Sequence, residues 1–302
     1  MRIFVAGATG VIGRRVVPLL AAAGHSVTGI GRTPEKQNLL LQLGGEAVAL
    51  DLFDAAAVRS AVAGHDIVIN LATSIPPSSR AFLPWAWREN TRIRRFASKN
   101  LADAAYAAGA ERFIQESFAP IYADNGDEWI DERSLVNAPS YARAVIDAEA
   151  AAAQFAQTGR NGITLRFAFF YGPDSGYLLD TIRMVRKGWA PTFGRPEGFM
   201  SSVSHDDAAS AVVAALGATA GVYNVADDEP VRRREYFDSL ANAIGAGPPK
   251  FPPAWLAHLV GSVGEMLSRS QRISNRKLKE ETGWTPRLRS AKEGWNTVIK
   301  EI

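Results

Sequence analysis

The stretch Val5-Ala6-Gly7-Ala8-Thr9-Gly10-Val11-Ile12-Gly13 decides the fold of this chain. It continues the apolar residues Ile3-Phe4 and leads into Arg15-Val16-Val17-Pro18-Leu19-Leu20, which reads as a helix. A strand, a tight glycine turn and a helix N-terminus form the arrangement that binds a dinucleotide pyrophosphate. Glycines spaced G-x-x-G-x-x-G permit positive φ and a close approach of backbone to phosphate. A plain turn is the alternative, but the flanking strand and helix favour phosphate binding.

Length and composition allow a large core and limit the classes of partner. The chain has 302 residues, 47% of them apolar, and a formal net charge of +3. This length suggests about two domains. Two basic clusters, Arg92-Ile93-Arg94-Arg95 and Arg232-Arg233-Arg234, are interpreted as solvated helix faces, so we expect no nucleic-acid partner.

The absence of cysteine excludes disulfides, thiolate nucleophiles and cysteine-ligated metals, and it fits a cytoplasmic protein. The first apolar run breaks at Gly7, too early for a signal peptide, and no apolar run is long enough to span a bilayer, so we expect no membrane partner. The four histidines lack metal-ligand spacing, and no metal is predicted. His205 is expected to begin a helix that an adjacent aspartate caps.

Strand-like and helix-like segments alternate along the first two thirds of the chain. The predicted strands after the first are 26–30, 46–50, 66–71, 112–115, 163–167 and 221–225. This alternation predicts an α/β fold: a Rossmann-type doubly wound parallel sheet with a smaller C-terminal substrate-binding domain. The nucleotide-binding domain is predicted at 1–170 plus roughly 201–226. The smaller substrate-binding or lid region is predicted at 171–200 and 227–302.

The end of the second strand indicates which nicotinamide cofactor binds. A selective NAD site usually has a carboxylate there, whereas this chain has Arg32, followed by Lys36 on the next helix. A guanidinium suits the 2′-phosphate of NADP, so NADP is favoured. NAD is the alternative, with Arg32 on the surface and Glu35 holding the ribose. Asp51 either approaches the adenine or serves as a helix cap near Asp54.

Several further motifs occur in a consistent order along nearly the whole chain. They are Asp51-Leu52, Asn70-Leu71-Ala72, Ser117 with Ile121-Tyr122, Pro139-Ser140-Tyr141, Arg166 with Tyr171-Gly172-Pro173, Ser204-His205-Asp206-Asp207-Ala208 and the run 274–286. Together with the glycine loop, they make the chain resemble the extended short-chain dehydrogenase/reductase superfamily. Within it, the similarity is to the NAD-dependent epimerase/dehydratase family.

This resemblance implies an NAD(P)-binding pocket with a catalytic Tyr, a Lys four residues later and a Ser or Thr. The predicted cofactor-binding residues are Gly7, Thr9, Gly10, Val11, Ile12, Gly13, Arg32, Lys36, Asp51, Leu52, Leu71, Ala72 and Tyr141. Tyr141 matches the catalytic Tyr, but Val145 stands at the Lys position and Phe118 at the Ser/Thr position. Ser117 is one residue away, and in an extended segment neighbouring side chains face opposite sides. Ser117 therefore substitutes only if the chain bends there.

The missing lysine favours one direction of hydride transfer. A tyrosine has a pKa of about 10, so about one molecule in a thousand is ionised at neutral pH. A nearby lysine lowers that pKa, and Val145 cannot. Oxidation of an alcohol needs a base, whereas reduction of a carbonyl or imine needs an acid, which neutral Tyr141 can supply. Glu116 is an alternative acid or base, or else a loop residue.

Aromatic residues near the strand ends predict a flat or apolar substrate. They are Trp85, Trp87, Phe118, Tyr122 and Tyr171, for which core packing is the alternative. The loop 73–87 is interpreted as a lid. These residues favour an NADP-dependent oxidoreductase that reduces a small apolar or aromatic carbonyl compound or imine. A non-catalytic NADP-binding sensor or scaffold and a nucleotide-sugar epimerase or dehydratase are the alternatives. Family relatives are often dimers, so a homodimer is compatible with the chain.

Overall fold

A seven-stranded parallel sheet forms the centre of the protein, whose computed structural model describes residues 1–302. The strands are β1 (Arg2–Ala6), β2 (Ser26–Ile30), β3 (Glu46–Val48), β4 (Ile67–Asn70), β5 (Arg112–Phe118), β6 (Asn161–Phe167) and β7 (Gly221–Val225). Their spatial order is 3-2-1-4-5-6-7, and every neighbouring pair is parallel. This order confirms the predicted Rossmann-type doubly wound sheet.

Helices cover both faces of the sheet, because parallel strands buried on both sides require two apolar layers. The helices are α1 (Gly13–Ala22), α2 (Pro34–Gln42), α3 (Ala55–Val62), α4 (Arg88–Arg92), α5 (Ser98–Ala107), α6 (Ala144–Ala156), α7 (Gly176–Arg186), α8 (His205–Ala214), α9 (Arg233–Ala243), α10 (Gly261–Ser268), α11 (Arg276–Thr282) and α12 (Ala291–Lys300). Helices α1 and α8 pack in one core, and α3, α5 and α6 in another. No helix has the length and apolar character needed to cross a membrane.

The sheet reverses its strand order between β1 and β4, and this reversal positions the site. The last residue of β1, Ala6, lies opposite Asn70, the last residue of β4. The loops that leave these two strands therefore diverge to opposite faces and open a crevice at the carboxyl edge. Ligands of open α/β sheets bind in such a crevice.

A third core lies in the C-terminal part of the chain. Its buried members all fall within 171–200 and 227–302, the ranges predicted for the smaller region. Tyr171 packs against Trp295 there, with 5.1 Å between ring centroids. Three short strand pairs lie outside the main sheet: Phe169–Tyr171 with Ser202–Ser204, Phe199–Met200 with Val231–Arg232, and Trp129–Ile130 with Arg272–Ile273.

Candidate functional site

The glycine loop between β1 and α1 is tightly packed against the loop after β4. Gly7 has φ of +80°, and a Cβ atom there would lie 2.5 Å from the carbonyl carbon of Leu71. A Cβ atom on Gly13 would lie 2.1 Å from the carbonyl oxygen of Gly7. The backbone N–H of Gly10 donates to that same oxygen at 2.9 Å. Only glycine fits at the first and third positions, which confines the loop to a narrow turn.

The N-terminus of α1 is left open to an anion. Ile12 occupies the cap position and makes no side-chain cap, and the first turn carries no acidic residue. The backbone N–H groups at the start of a helix attract negative charge, and here no carboxylate in the first turn neutralises that charge. Gly10 is exposed, while Thr9 and Val11 are half-buried beside it. A dinucleotide pyrophosphate fits this cradle.

Cationic side chains project into solvent just after β2. Arg32 and Lys36 are both exposed, and neither forms an ion pair or a side-chain hydrogen bond. Thr33 caps α2 by accepting from the backbone N–H of Lys36. Glu35 has its pKa lowered by a hydrogen bond with Thr33. The two cations therefore remain available to a phosphate.

The two aspartates that follow β3, Asp51 and Asp54, have different roles. Asp54 caps α3 by accepting from the backbone N–H groups of Ala56 and Ala57, both at 3.0 Å. Asp51 is not that cap: it accepts from the backbone N–H of Phe53 at 3.0 Å and is otherwise exposed. Asp51 is therefore not the helix cap that was its alternative role, and its second carboxylate oxygen has no partner in the protein.

Tyr141 lies in a short 3-10 turn, Ser140–Ala142, directly before α6. Its ring packs against Trp87, with 4.4 Å between the ring centroids and 46° between the ring planes. Burial raises the pKa of its hydroxyl, although the guanidinium groups of Arg269 and Arg94 oppose that shift. The hydroxyl makes no hydrogen bond within the protein. Val145, one helical turn on, is packed with Ile121 and Ala142 in a small apolar cluster. No lysine or arginine side chain takes its place on α6.

Ser117 does not reach the pocket, which corrects its predicted catalytic role. Strand β5 stays extended through Phe118, so Ser117 faces α6, the side opposite Glu116 and Phe118. Its hydroxyl donates to Glu149 at 2.5 Å, and Glu149 is held in turn by two hydrogen bonds from Arg166. The serine is a member of a buried ion-pair network that fixes α6 to the sheet.

Glu116 points the other way and meets a buried arginine. Its carboxylate pairs with Arg94, with 2.9 Å between Nη2 and Oε2. Arg94 is 3% exposed. It comes from Ile93–Ala97, a π-helical turn between α4 and α5. Its Nε and Nη1 atoms have no partner in the protein. The pair lies at the carboxyl end of β5, where the crevice opens.

The five aromatic residues predicted to line the pocket separate into two groups. Trp87 packs against Tyr141, Phe118 packs edge-on against Phe169, and Trp85 is 52% exposed. Tyr122 and Tyr171 are core residues, which corrects their predicted place in the pocket. The Tyr122 hydroxyl donates to Asn224 and accepts from Arg166, and burial raises its pKa to about 12. Tyr171 faces Trp295, away from the crevice.

Both basic clusters contain a buried arginine, so the prediction of wholly solvated faces was wrong. Arg233 is 2% exposed and donates to the carbonyl oxygens of Arg195 and Arg269. Arg94 is the corresponding residue of the first cluster. The sequence contains a run of like charges in each case. It contains no signal that singles out the inward-facing member.

The helix at His205 begins where the sequence indicates, but a serine is the cap. Ser204 accepts from the backbone N–H of Asp207, and the Asp207 carboxylate accepts from the Ser204 hydroxyl at 2.7 Å. His205 is buried against the Gly172 turn, where a Cβ atom on Gly172 would lie 2.0 Å from the ring. Burial lowers the pKa of His205 to about 4. No group of three or more His, Asp or Glu side chains is placed to hold a metal ion.

Comparison with known proteins assigns the glycine cradle to a cofactor. The sequence model described as NAD(P)H-binding matches residues 7–219. A 3-diazoavenalumate denitrifying reductase from a Streptomyces species is 34% identical, over 97% of this chain and 99% of its own. A 2-alkyl-3-oxoalkanoate reductase from Shewanella oneidensis is 26% identical, over 88% of this chain and 72% of its own.

Solved structures agree on the fold along the whole chain. A UDP-glucose 4-epimerase from Thermotoga maritima superposes with a TM-score of 0.81 at 22% identity, covering 99% of this chain and 98% of its own. A human epimerase family protein with NADPH superposes with a TM-score of 0.80 at 21% identity and full coverage of both chains. These matches confirm the resemblance noted in the sequence. The chain therefore belongs to the NAD(P)H-binding family, as an oxidoreductase with the fold of the NAD-dependent epimerases and dehydratases.

Proposed function

We propose that this protein is an NADPH-dependent reductase of a small aromatic or apolar organic acid that carries a carbonyl or imine group. Tyr141 is the proton donor. The observation that carries this proposal is the state of Tyr141: its hydroxyl has no protein partner, and its pKa is raised by burial beside Val145 rather than lowered by a lysine. When bound, the reduced nicotinamide supplies the hydride.

The state of Tyr141 favours reduction over oxidation. A hydroxyl with a raised pKa keeps its proton throughout the neutral range, so it can donate to the oxygen or nitrogen that becomes negative. The same hydroxyl is a poor base, and removal of a proton from an alcohol needs one. Epimerases and dehydratases begin with that oxidation, so the nucleotide-sugar alternative has less support. A sensor or scaffold has no need for a free phenol beside the cofactor.

The relatives support both the reaction and the substrate class. The two reductases named above are 34% and 26% identical to this chain. Each of their names describes a substrate that is a carboxylic acid anion with a separate reducible group, a diazo group in one and a 3-oxo group in the other. We extend this feature to the present chain: the substrate has an apolar or aromatic body, a reducible group and a carboxylate. Trp87, which packs against Tyr141, offers an aromatic surface to the body.

A second candidate reaction follows from the relative at 34% identity, whose name describes the denitrifying reduction of a diazo acid. An aryl diazonium group that accepts a hydride loses dinitrogen and leaves a neutral arene. The charges balance, and no proton is needed. A site without the usual lysine is suited to that chemistry, in which Tyr141 would position the substrate and transfer nothing.

Replacement of Tyr141 by phenylalanine distinguishes the two reactions. We expect Tyr141→Phe to lower kcat for an aromatic keto acid or aldehyde by about a hundredfold or more, because the proton donor is lost. We expect NADPH binding to change little. Consumption of NADPH, followed by its absorbance, measures both. Tyr106→Phe on the exposed face of α5 is the matched control and should behave as the wild type.

The outcomes separate the alternatives. An unchanged rate with the carbonyl probe would remove Tyr141 as donor. Turnover of an aryl diazonium probe that Tyr141→Phe leaves unchanged, with no turnover of any carbonyl probe by the wild type, would favour the denitrifying reaction. Tight NADPH binding without turnover of any probe would overturn the reductase proposal in favour of the sensor.

A further inference from the structure

The π-helical turn Ile93–Ala97 brings one arginine inward at the carboxyl edge of the sheet. The turn joins α4 to α5 and packs against α6. Single π-turns inside helices change the direction of the side chains that follow and are frequent at functional sites. Here one of two neighbouring arginines is exposed and the other is buried. Arg95 lies at the surface, where its Nε donates to Asp147 at 2.7 Å, while Arg94 is 3% exposed.

The guanidinium of Arg94 is only partly satisfied. Its Nη2 atom contacts both oxygens of Glu116, at 3.1 Å and 2.9 Å. Its Nε and Nη1 atoms are shielded from solvent and contact no acceptor. Buried donors without partners are rare, because each loses its hydrogen bonds to water without replacement. A buried arginine with two free nitrogens therefore indicates an acceptor that the protein does not itself supply.

The charges around Tyr141 indicate that this acceptor is an anion. Arg94 and Arg269 are both buried, and both act on the Tyr141 hydroxyl. Glu116 is the buried carboxylate that pairs with Arg94, with 12% of its side chain exposed. Arg269 is satisfied within the protein, because it pairs with Glu265 and its Nη1 donates to the carbonyl oxygens of Tyr122 and Asn137. The free donors of Arg94 belong to a cation, for which a carboxylate is the stronger acceptor because the hydrogen bonds are charge-assisted.

We propose that Arg94 binds the carboxylate of the substrate through its Nε and Nη1 donors, beside Tyr141. This inference rests on the proposed reductase function and assigns its substrate class to a residue. Arginine donors paired with a carboxylate form charge-assisted hydrogen bonds that fix orientation as well as affinity. Trp87 packs against Tyr141 and directly precedes α4, the helix that continues into the π-turn. One continuous segment therefore carries both the aromatic surface and the cation.

A pair of probes that differ only in charge tests the assignment. Cinnamate and cinnamamide share an apolar aromatic body, and only the first is an anion. Calorimetric titration into the NADP⁺-loaded protein should show cinnamate preferred by the wild type by about tenfold or more, the range of a charge-assisted hydrogen bond. Arg94→Met should reduce that preference to about one. Arg95→Met, the matched control, should retain it.

Loss of Arg94 leaves Glu116 buried without a partner, which can unfold the variant. The double variant R94M/E116Q removes both charges and serves as the folded reference, checked by thermal melting. Arg94→Lys should recover part of the preference, since it restores charge without the planar guanidinium. A wild type that does not distinguish the two probes, including one that binds neither, would overturn the inference. So would a preference for cinnamate that survives in R94M/E116Q.

These results are independent of turnover. A protein that binds cinnamate through Arg94 but oxidises no NADPH with any carbonyl or diazonium probe would overturn the proposed function and leave this inference standing. A protein that reduces an aromatic aldehyde and its carboxylated analogue equally well, before and after Arg94→Met, would do the opposite.

Discussion

At the scale of single residues, Arg32 is the position at which a preference between the two nicotinamide cofactors can be tested. Its guanidinium is exposed at the end of β2 and makes no contact with a carboxylate. The NAD(P)H-binding family accommodates both cofactors, and the 2′-phosphate of NADP is the group that distinguishes them. We propose that Arg32 and Lys36 bind this phosphate.

We expect Arg32→Ser to weaken NADPH binding by about tenfold to a hundredfold and to leave NADH binding almost unchanged, because only NADPH loses a charge-assisted hydrogen bond. Thermal-shift titration with each cofactor measures the two affinities, since a ligand of the native state raises its stability. Arg59→Ser, an exposed arginine on α3, is the control. Equal losses for both cofactors, or none, would show that Arg32 does not read the phosphate.

Single residues were also where the sequence was least informative. Arg94 stands in a run of arginines whose pattern indicates a solvated face, and the π-turn that turns it inward has no signature in the residues themselves. Tyr122 and Tyr171 lie near strand ends, where pocket residues are expected, yet both side chains are buried in the core. The direction in which a side chain points depends on packing against segments that are distant in the sequence, so the local sequence does not reveal it.

At the scale of elements, local sequence predicted most of what forms. The strand at 221–225 has its predicted bounds, and the third strand stops at Val48, two residues early, where the chain turns toward Asp51. The alternation of side chains along a strand also predicted that Ser117 could act in the pocket only if the chain bent there. Strand β5 is extended, and Ser117 faces away from Glu116. Its partner Glu149 lies 32 residues further on, in α6, and no pattern within β5 indicates that contact.

His205, the first residue of α8, makes the stability of the protein depend on pH. His205 is buried against the Gly172 turn, and burial lowers its pKa to about 4, below the ordinary value of about 6.5. The unfolded chain therefore binds a proton below about pH 6.5, while the folded chain does so only below about pH 4. This contribution to stability is complete above about pH 6.5 and is lost as the pH falls toward 4.

We expect the free energy of unfolding to include a loss of about 2 to 3 kcal/mol from His205 between about pH 7.5 and pH 4.5. Buried Asp227 acts in the opposite sense, since burial raises its pKa. Comparison with His205→Gln isolates the histidine, because Asp227 is present in both proteins. Urea denaturation at the two pH values gives the difference. Parallel pH dependence in the wild type and His205→Gln would contradict the assignment.

At the scale of the whole molecule, one layer of the fold leaves apolar surface uncovered. Helices α5 and α6 pack side by side on the sheet, and this layer, together with the π-helical turn before α5, exposes Phe96, Tyr106 and Ile146. A shallow groove of about 140 Å³ runs between them, lined in part by Tyr106 and Phe155. Large apolar side chains exposed together on one helical layer are compatible with an interface between proteins. We propose that a second copy of the chain covers it, in a two-fold symmetric dimer.

We expect the wild type to have the mass of two chains in light scattering coupled to gel filtration, and Tyr106→Glu to have the mass of one. A charge at the centre of a symmetric interface meets its own copy, so the variant carries both a desolvation penalty and a like-charge repulsion. Leu259→Glu introduces the same charge at an exposed apolar residue outside this layer and should leave the dimer intact. Tyr106 lies on the outer face of α5, away from Arg94 and Tyr141, so the monomeric variant should still bind NADPH. A wild type with the mass of one chain, or a Tyr106→Glu variant with the mass of two, would contradict the dimer.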